Sequence, residues 1–443
     1  MQSKTRCASA IRKPSSTGCR SPPTASSSCW ALALATDPRT TNPPLGPGGI
    51  DWRRNLAALW FAEFMAIFGF SFAFPFLSIF ISHDLGVHQG GDLDLWTAAT
   101  ASVSGLSMAI ASPIWGVLGD RYGRKPMLLR SMVGGALTVG LIYFARNPTD
   151  LLALRFLQGA TSGTVAAATA LVAAETPRNR VGWALGVVTS AVALGGAIGP
   201  VVGGLAGAVF GLRVVFLGGG ILLLLSTIPV FFIVHESPRR RREGPQLGVL
   251  TLIRQRPGAL RALSVLIGSQ GLISVCNSAT QQLVVLRLLE MLSSGVAAIT
   301  GVAFGLAGVA SSGAAVFYTQ VTRRMGYVRT TALAAVMVAV AVSLMAVAPW
   351  AAVVVAGMAL NGLFSGVVIP ATASMIGLET PPDTQSTVFG ANASSVALGF
   401  CIGPLIGGGV AATAGVPAAL IVIGGLALVL AAVIAAGARE PAR

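Results

Sequence analysis

Past residue 50 the chain is a succession of apolar runs, each about 20 to 28 residues long and parted by short polar turns. A run of more than about 18 apolar residues can cross a hydrocarbon core of about 30 Å as a helix, with tilt. Twelve such spans are predicted, at approximately 55–81, 95–118, 127–146, 151–174, 183–208, 213–234, 261–289, 295–321, 329–348, 351–377, 386–411 and 416–437. Short connections make neighbours antiparallel. The long exception, 235–260, separates six spans from six and reads as a basic linker between an N-terminal bundle at 51–234 and a C-terminal bundle at 261–443. The expected fold is therefore all-α and integral to the membrane, with twelve transmembrane helices in two six-helix bundles.

Composition sharpens this reading. The chain is 54% hydrophobic and 10% charged, against the roughly 25% charged residues of soluble domains. Its net charge of +15 would suggest nucleic acid in a soluble protein, but the cations sit at span ends and nucleic-acid binding is not expected. Arg53, Arg54, the 121–130 turn, Arg178, Arg180, the linker, Arg323, Arg324, Arg329, Arg439 and Arg443 fall on one side, and Arg146, Arg213 and Arg287 on the other. The positive-inside rule then places both termini in the cytoplasm of a multi-pass cell-membrane protein, with Asp84, Asp92 and Asp94 outside. Residues 1–50 are rich in Ser, Pro and Thr, without apolar periodicity, and read as a disordered tail, either transit-like or an over-extended gene model. The five cysteines and three histidines show no ligand spacing, so no metal or cofactor is expected.

The halves repeat. Gly199-Pro200-Val201-Val202-Gly203-Gly204 recurs as Gly403-Pro404-Leu405-Ile406-Gly407-Gly408, and Glu175-Thr176-Pro177 as Glu379-Thr380-Pro381, both at an offset of 204. Two motifs at one offset make the bundles pseudo-symmetric, and such halves place a substrate site near the midplane at their interface.

Between the second and third spans stands Gly116-Val117-Leu118-Gly119-Asp120-Arg121-Tyr122-Gly123-Arg124-Lys125-Pro126. Glycines at 116, 119 and 123 let helix ends approach and the backbone reverse. Asp120 can accept hydrogen bonds from a neighbouring helix N-terminus, and Arg121, Arg124 and Lys125 hold the turn on the cytoplasmic side. A plain positive-inside anchor would account for the cations but not for the glycine spacing or the Asp. At nearly every position the segment resembles the loop signature between spans two and three of the major facilitator superfamily. By that resemblance, residues from Asp51 to about Arg439 are similar to the multidrug efflux transporters of its twelve-span drug:proton antiporter branch. The match is firmest in the first half, including Asn179-Arg180-Val181-Gly182-Trp183-Ala184-Leu185-Gly186. The corresponding turn of the second half, Thr322-Arg323-Arg324-Met325-Gly326-Tyr327, lacks the Asp.

Other candidates follow. Gly195, Gly199, Pro200, Gly203 and Gly204 match the superfamily's Gly-x-x-x-Gly-Pro-x-x-Gly-Gly signature, which implies antiport and hence export. Physically, the glycine spacing allows close helix contact and Pro200 permits a bend, so packing is the alternative. Arg155, near the start of span four, matches the family's arginine associated with proton coupling; a cation in an apolar run is functional by default, and snorkelling to the outer surface is the alternative. Glu63 is the acid well inside a span, about 13 Å along the helix from Arg54 at about 1.5 Å per residue. It is either a proton carrier, since hydrocarbon favours the protonated carboxyl, or a helix-end acid near the cytoplasm. Gln270, Ser274, Asn277 and Gln281 share one face of span seven. With Gln158, Asn361 and Asn392 they line a substrate path or bond between helices.

The resemblance implies a secondary active transporter in which inward proton flow drives lipophilic drugs or other small molecules outward by alternating access. Its expected partners are the substrate, protons and the bilayer, and a monomer is expected. A proton-coupled exporter of one metabolite, such as a sugar or amino acid derivative, shares every motif, and a non-transporting membrane sensor is the rival from another class. No nucleophile–base pair, metal cluster or phosphate loop points to an enzyme.

Overall fold

The computed structural model describes residues 51–87, 90–177, 180–237, 257–380, 385–438 and 440. Residues 1–50, expected to be disordered, and residues 238–256 of the basic linker lie outside this set. Among the described residues the secondary structure is helical, and twelve helices are long and apolar enough to cross a membrane. In chain order, spans one to twelve are Trp52–His83, Gly91–Gly119, Arg124–Phe144, Pro148–Glu175, Trp183–Phe210, Leu212–Phe232, Arg261–Met291, Val296–Met325, Tyr327–Ala346, Ala351–Glu379, Val388–Ala414 and Val416–Gly437. The helix of span seven already begins at Pro257.

Two predicted spans are not continuous helices. Span one breaks at Phe74–Phe76, where Pro75 lacks an amide and a short 3-10 turn links Trp52–Ala73 to Leu77–His83. Span four breaks between Pro148–Thr161 and Thr164–Glu175. Ser162 is extended there and Gly163 takes φ +121°, which only glycine adopts without strain.

The spans form two pseudo-symmetric six-helix bundles. In the first, span one packs on five and six, two on four, and three on six; in the second, seven packs on eleven and twelve, eight on ten, and nine on twelve. The halves meet chiefly along two seams, five against eight and two against eleven. Glycines set all four close approaches. Gly195, Gly199 and Gly203 of span five lie against the backbone of span one at Phe64, Phe68 and Phe72, and Gly204 against Ala297 and Gly301 of span eight. At the repeat offset, Gly399, Gly403 and Gly407 of span eleven lie on span seven, and Gly408 on Asp94 and Ala98 of span two.

Both seams are closed at the end away from the basic turns. Gly91 lies on Ala412, Gly105 on Cys401, Gly301 on Pro200 and Gly308 on Ala197. Towards the basic end they part: Gly116 of span two, Gly186 of span five and Gly390 of span eleven each lie eleven residues along the same helix face from a seam contact, at Gly105, Ala197 and Cys401, and a methyl group added there would meet nothing within 4 Å. The structure is thus open at the basic end and shut at the other.

Candidate functional site

The signature turn is built around Gly123, whose φ of +115° reverses the chain between spans two and three. Gly119 lies close to Met127, whereas Gly116 has open space beside it, so the close approach expected at Gly116 is absent from this arrangement. The reason is the parting of the halves at this end. Asp120 falls in the last turn of the helix of span two, and its side chain is outside the described set. The carboxylate that caps a helix here is Glu236, just beyond span six. Its oxygens accept the amides of Arg124 at 2.9 and 3.0 Å and of Lys125 at 2.9 Å, at the positive end of span three. Arg124 also donates from Nη1 to the Ala170 carbonyl of span four, Lys125 from Nζ to the Phe231 carbonyl of span six at 2.9 Å, and Arg121 lies over the Tyr122 ring.

Glu236 belongs to a short strap that ties down four spans. Asn55 of span one exchanges two bonds with the backbone of His235, at 2.7 and 3.0 Å. Ser237 donates its amide and hydroxyl to the buried Glu175 at the end of span four. The second half repeats the central piece: Glu440, 204 residues after Glu236, accepts the amides of Tyr327 and Val328 at the start of span nine, beside Gly326 with φ +86°.

Arg155 does not snorkel. It is buried, with Nε donating to the Thr100 carbonyl at 3.1 Å, Nη1 to Gln158 at 2.7 Å and Nη2 to the Ser104 hydroxyl at 2.9 Å. Its guanidinium lies 4.4 Å from the Phe74 ring at the break of span one. Gln158 and Arg155 are therefore brought together.

Glu63 is fully buried in the first bundle, with neither carboxylate oxygen hydrogen-bonded within the protein. It is neither exposed at a helix end nor paired with Arg155, each of whose three nitrogens donates elsewhere.

The polar face of span seven is divided. Gln270 is buried and donates to the Ile369 carbonyl of span ten at 3.3 Å, while Ser274 bonds its own helix at the Gln270 carbonyl. Asn277 is half-buried and Gln281 exposed. Asn361 of span ten is buried and Asn392 of span eleven half-buried, each with a side-chain oxygen that lacks a protein partner. They are not gathered with Gln158 into one hydrogen-bonded cluster.

Three features escaped the sequence reading. Arg130 was counted with the cationic turn but sits inside span three, its guanidinium 3.7 Å from the Trp115 ring and Nη2 donating to the Ser162 carbonyl freed by the break of span four. Trp115 itself donates to the Ala160 carbonyl at 2.6 Å. The signal was Arg130's position six residues into an apolar helix. Asp94, assigned to the outer loops, is buried in the first turn of span two, against Gly408 of span eleven. Gln282, next to the exposed Gln281, is buried at the same place with both side-chain polar atoms unpartnered.

The Major Facilitator Superfamily family model matches residues 59–334 and 289–443. The chain belongs to the major facilitator superfamily. Its similarity to members of that superfamily runs through most of its length. It is 31% identical to Multidrug resistance protein MdtG of Dickeya zeae over 388 residues, 86% of this chain and 93% of the relative. It is equally 31% identical to the MdtG of Proteus mirabilis over 381 residues, covering 84% and 92%. The fold resembles that of the nucleoside transporter NupG, with a TM-score of 0.71 at 14% identity, covering 87% of this chain and 100% of the other. It also resembles the human organic anion transporter MFSD10, with a TM-score of 0.65 at 20% identity, covering 87% and 99%. This superfamily member is accordingly a multi-pass membrane transporter of small molecules.

Proposed function

We propose that the protein exports lipophilic drugs or other small molecules in exchange for protons, by alternating access between the open-ended arrangement seen here and its converse. The relationship to the multidrug resistance proteins supports drugs as the cargo. The observation that carries proton exchange is Glu63, sealed in the first bundle without a partner. An unpaired charge in that position costs more than protonation, so the closed site suits the neutral acid and a watery path is needed to release its proton. Arg155, fixed at the break of span one, supplies a positive field on the same bundle without neutralising Glu63. The glycines of span five allow the seam with span eight to re-form at the other end. We place the basic end and both termini in the cytoplasm of a cell-membrane monomer.

The test is uptake of a fluorescent lipophilic probe such as ethidium into inverted vesicles under an imposed proton gradient. Gradient-driven uptake that unrelated drugs compete, and that Glu63→Gln abolishes while leaving folding intact, is expected. Full gradient-driven uptake by Glu63→Gln would remove the proton role from Glu63.

A further inference from the structure

We propose that the groove between spans one and five at the basic end binds an anionic phospholipid, its phosphate held by Arg53 and Arg180 and an acyl chain laid against Leu56, Trp60 and Val187. The groove encloses about 530 Å³, within the usual size of ligand sites. Its wall is apolar and aromatic, with Trp183 packed edge-on against Trp52, ring centroids 6.4 Å apart.

Three observations select the occupant. The first is direction. Trp183 begins a stripe of exposed apolar residues at near-helical spacing that continues through Leu194, Ile198, Val202, Leu205 and Val209. The last of these lie where the halves are shut, so the stripe there meets bilayer, and the groove opens on the same side. The second is depth. Arg53 stands in the first turn of span one and Arg180 immediately before the helix of span five, both at headgroup level. Trp60 lies seven residues further in, about 10 Å at about 1.5 Å per residue, level with the upper acyl chain. Its indole is oriented by a 3.0 Å bond to the Ser190 hydroxyl.

The third is charge. Neither Arg53 nor Arg180 makes an ion pair among the described residues, and no acid is among the described residues that line the groove, Asp51 standing outside it as the cap of span one. A second groove, of about 780 Å³ between spans nine and twelve, sets Arg329 beside Glu440 at its mouth, so its charges offset. Only the groove between spans one and five has the complement of an anionic headgroup among these two. The inference stands whatever the transporter carries.

The experiment titrates the purified full-length protein in detergent with phosphatidylglycerol and with phosphatidylcholine of identical chains, counting bound lipids by native mass spectrometry. Phosphatidylglycerol should bind about tenfold more tightly, and R53Q/R180Q should remove that preference, while R53K/R180K keeps most of it and R329Q changes nothing. Equal binding of the two lipids, or an unchanged preference in R53Q/R180Q, would overturn the proposal. So would displacement of the lipid by millimolar inorganic phosphate, which assigns the arginines to a free anion, or by a transported compound at its working concentration, which makes the groove a substrate entry. Retention of the preference by R53K/R180K guards against a loss caused by misfolding.

Discussion

The turn after span two and the turn after span eight solve one problem with unequal means. Each reverses at a glycine with positive φ, Gly123 or Gly326, and each has the helix that follows capped by a glutamate from beyond the sixth helix of its bundle, Glu236 or Glu440. The first turn adds side-chain ties from Arg124 and Lys125 to spans four and six, and its strap continues to Asn55 and Glu175. The second has Val328 where Lys125 stands in the first, and its glutamate is exposed. What the repeat preserves is the helix cap, whereas the places of Arg124 and Lys125 are taken by Tyr327 and Val328, whose side chains make no such tie among the described residues. Arg323 stands where Asp120 does in the first turn, and the reversal at Gly326 is kept without the Asp.

The largest difference between the halves should come from their equivalent glycines. A methyl group at Gly203 would run into the backbone carbonyl of Phe72, which cannot move without shifting span one, whereas at Gly407 it would stand 3.3 Å from the Ala279 methyl. Gly203→Ala should therefore destabilise by about 1–3 kcal/mol or prevent accumulation of folded protein, and Gly407→Ala should change stability by well under about 1 kcal/mol. Melting followed by size-exclusion chromatography in detergent measures both. Equal effects would show that the seams yield alike and that the distances do not govern them.

The caps come next. Glu236→Ala leaves the half-buried amides of Arg124 and Lys125 without their charged acceptor, with an expected loss of about 1.5–3 kcal/mol. Glu440→Ala exposes the corresponding amides to water and should cost about 1 kcal/mol or less. A larger loss from Glu440→Ala would make the second cap the principal clasp of the basic end. The strap gives a related contrast. Glu175→Gln loses a charge-assisted pair with Ser237 in a buried position, about 1–2 kcal/mol, whereas Glu379, its half-exposed counterpart, should accept the same change with little effect on melting.

How far the sequence revealed this depends on the range of each interaction. Span length, the six-and-six division and the close approaches of Gly199 and Gly403 rest on local pattern and on a repeat visible at one offset, and the structure has them. The partner of the signature turn did not emerge, although Glu236 and Glu440 share that offset, because they stand at the edge of the linker and near the chain end and read as solvated charge. Arg130 was grouped with neighbouring cations when its depth in span three set it apart. The break of span four carries its own signal, Ser162-Gly163 within the small and polar run from Gln158 to Thr164, but the length of the whole segment fits one crossing and does not show where the helix stops. Gln270 turned to a carbonyl of span ten, a choice between neighbours that helical spacing does not make.

The finest cut at the comparison is Lys125→Val, which gives the first turn the residue type that the second already carries at Val328. Lys125 Nζ donates to the Phe231 carbonyl from an exposed position and lies 5.9 Å from the Phe231 ring, so water competes for both contacts. An exposed interaction of this kind is worth about 0.2–1 kcal/mol, and the backbone amide at position 125, which reaches Glu236, survives the change. The substitution should lower the melting temperature slightly, and the loss should shrink at high salt because it is electrostatic. If Lys125→Val instead weakened the protein as much as Glu236→Ala, the side-chain lacing and not the cap would hold the first turn. The second turn would then need a fastening other than Glu440 to stay folded without it.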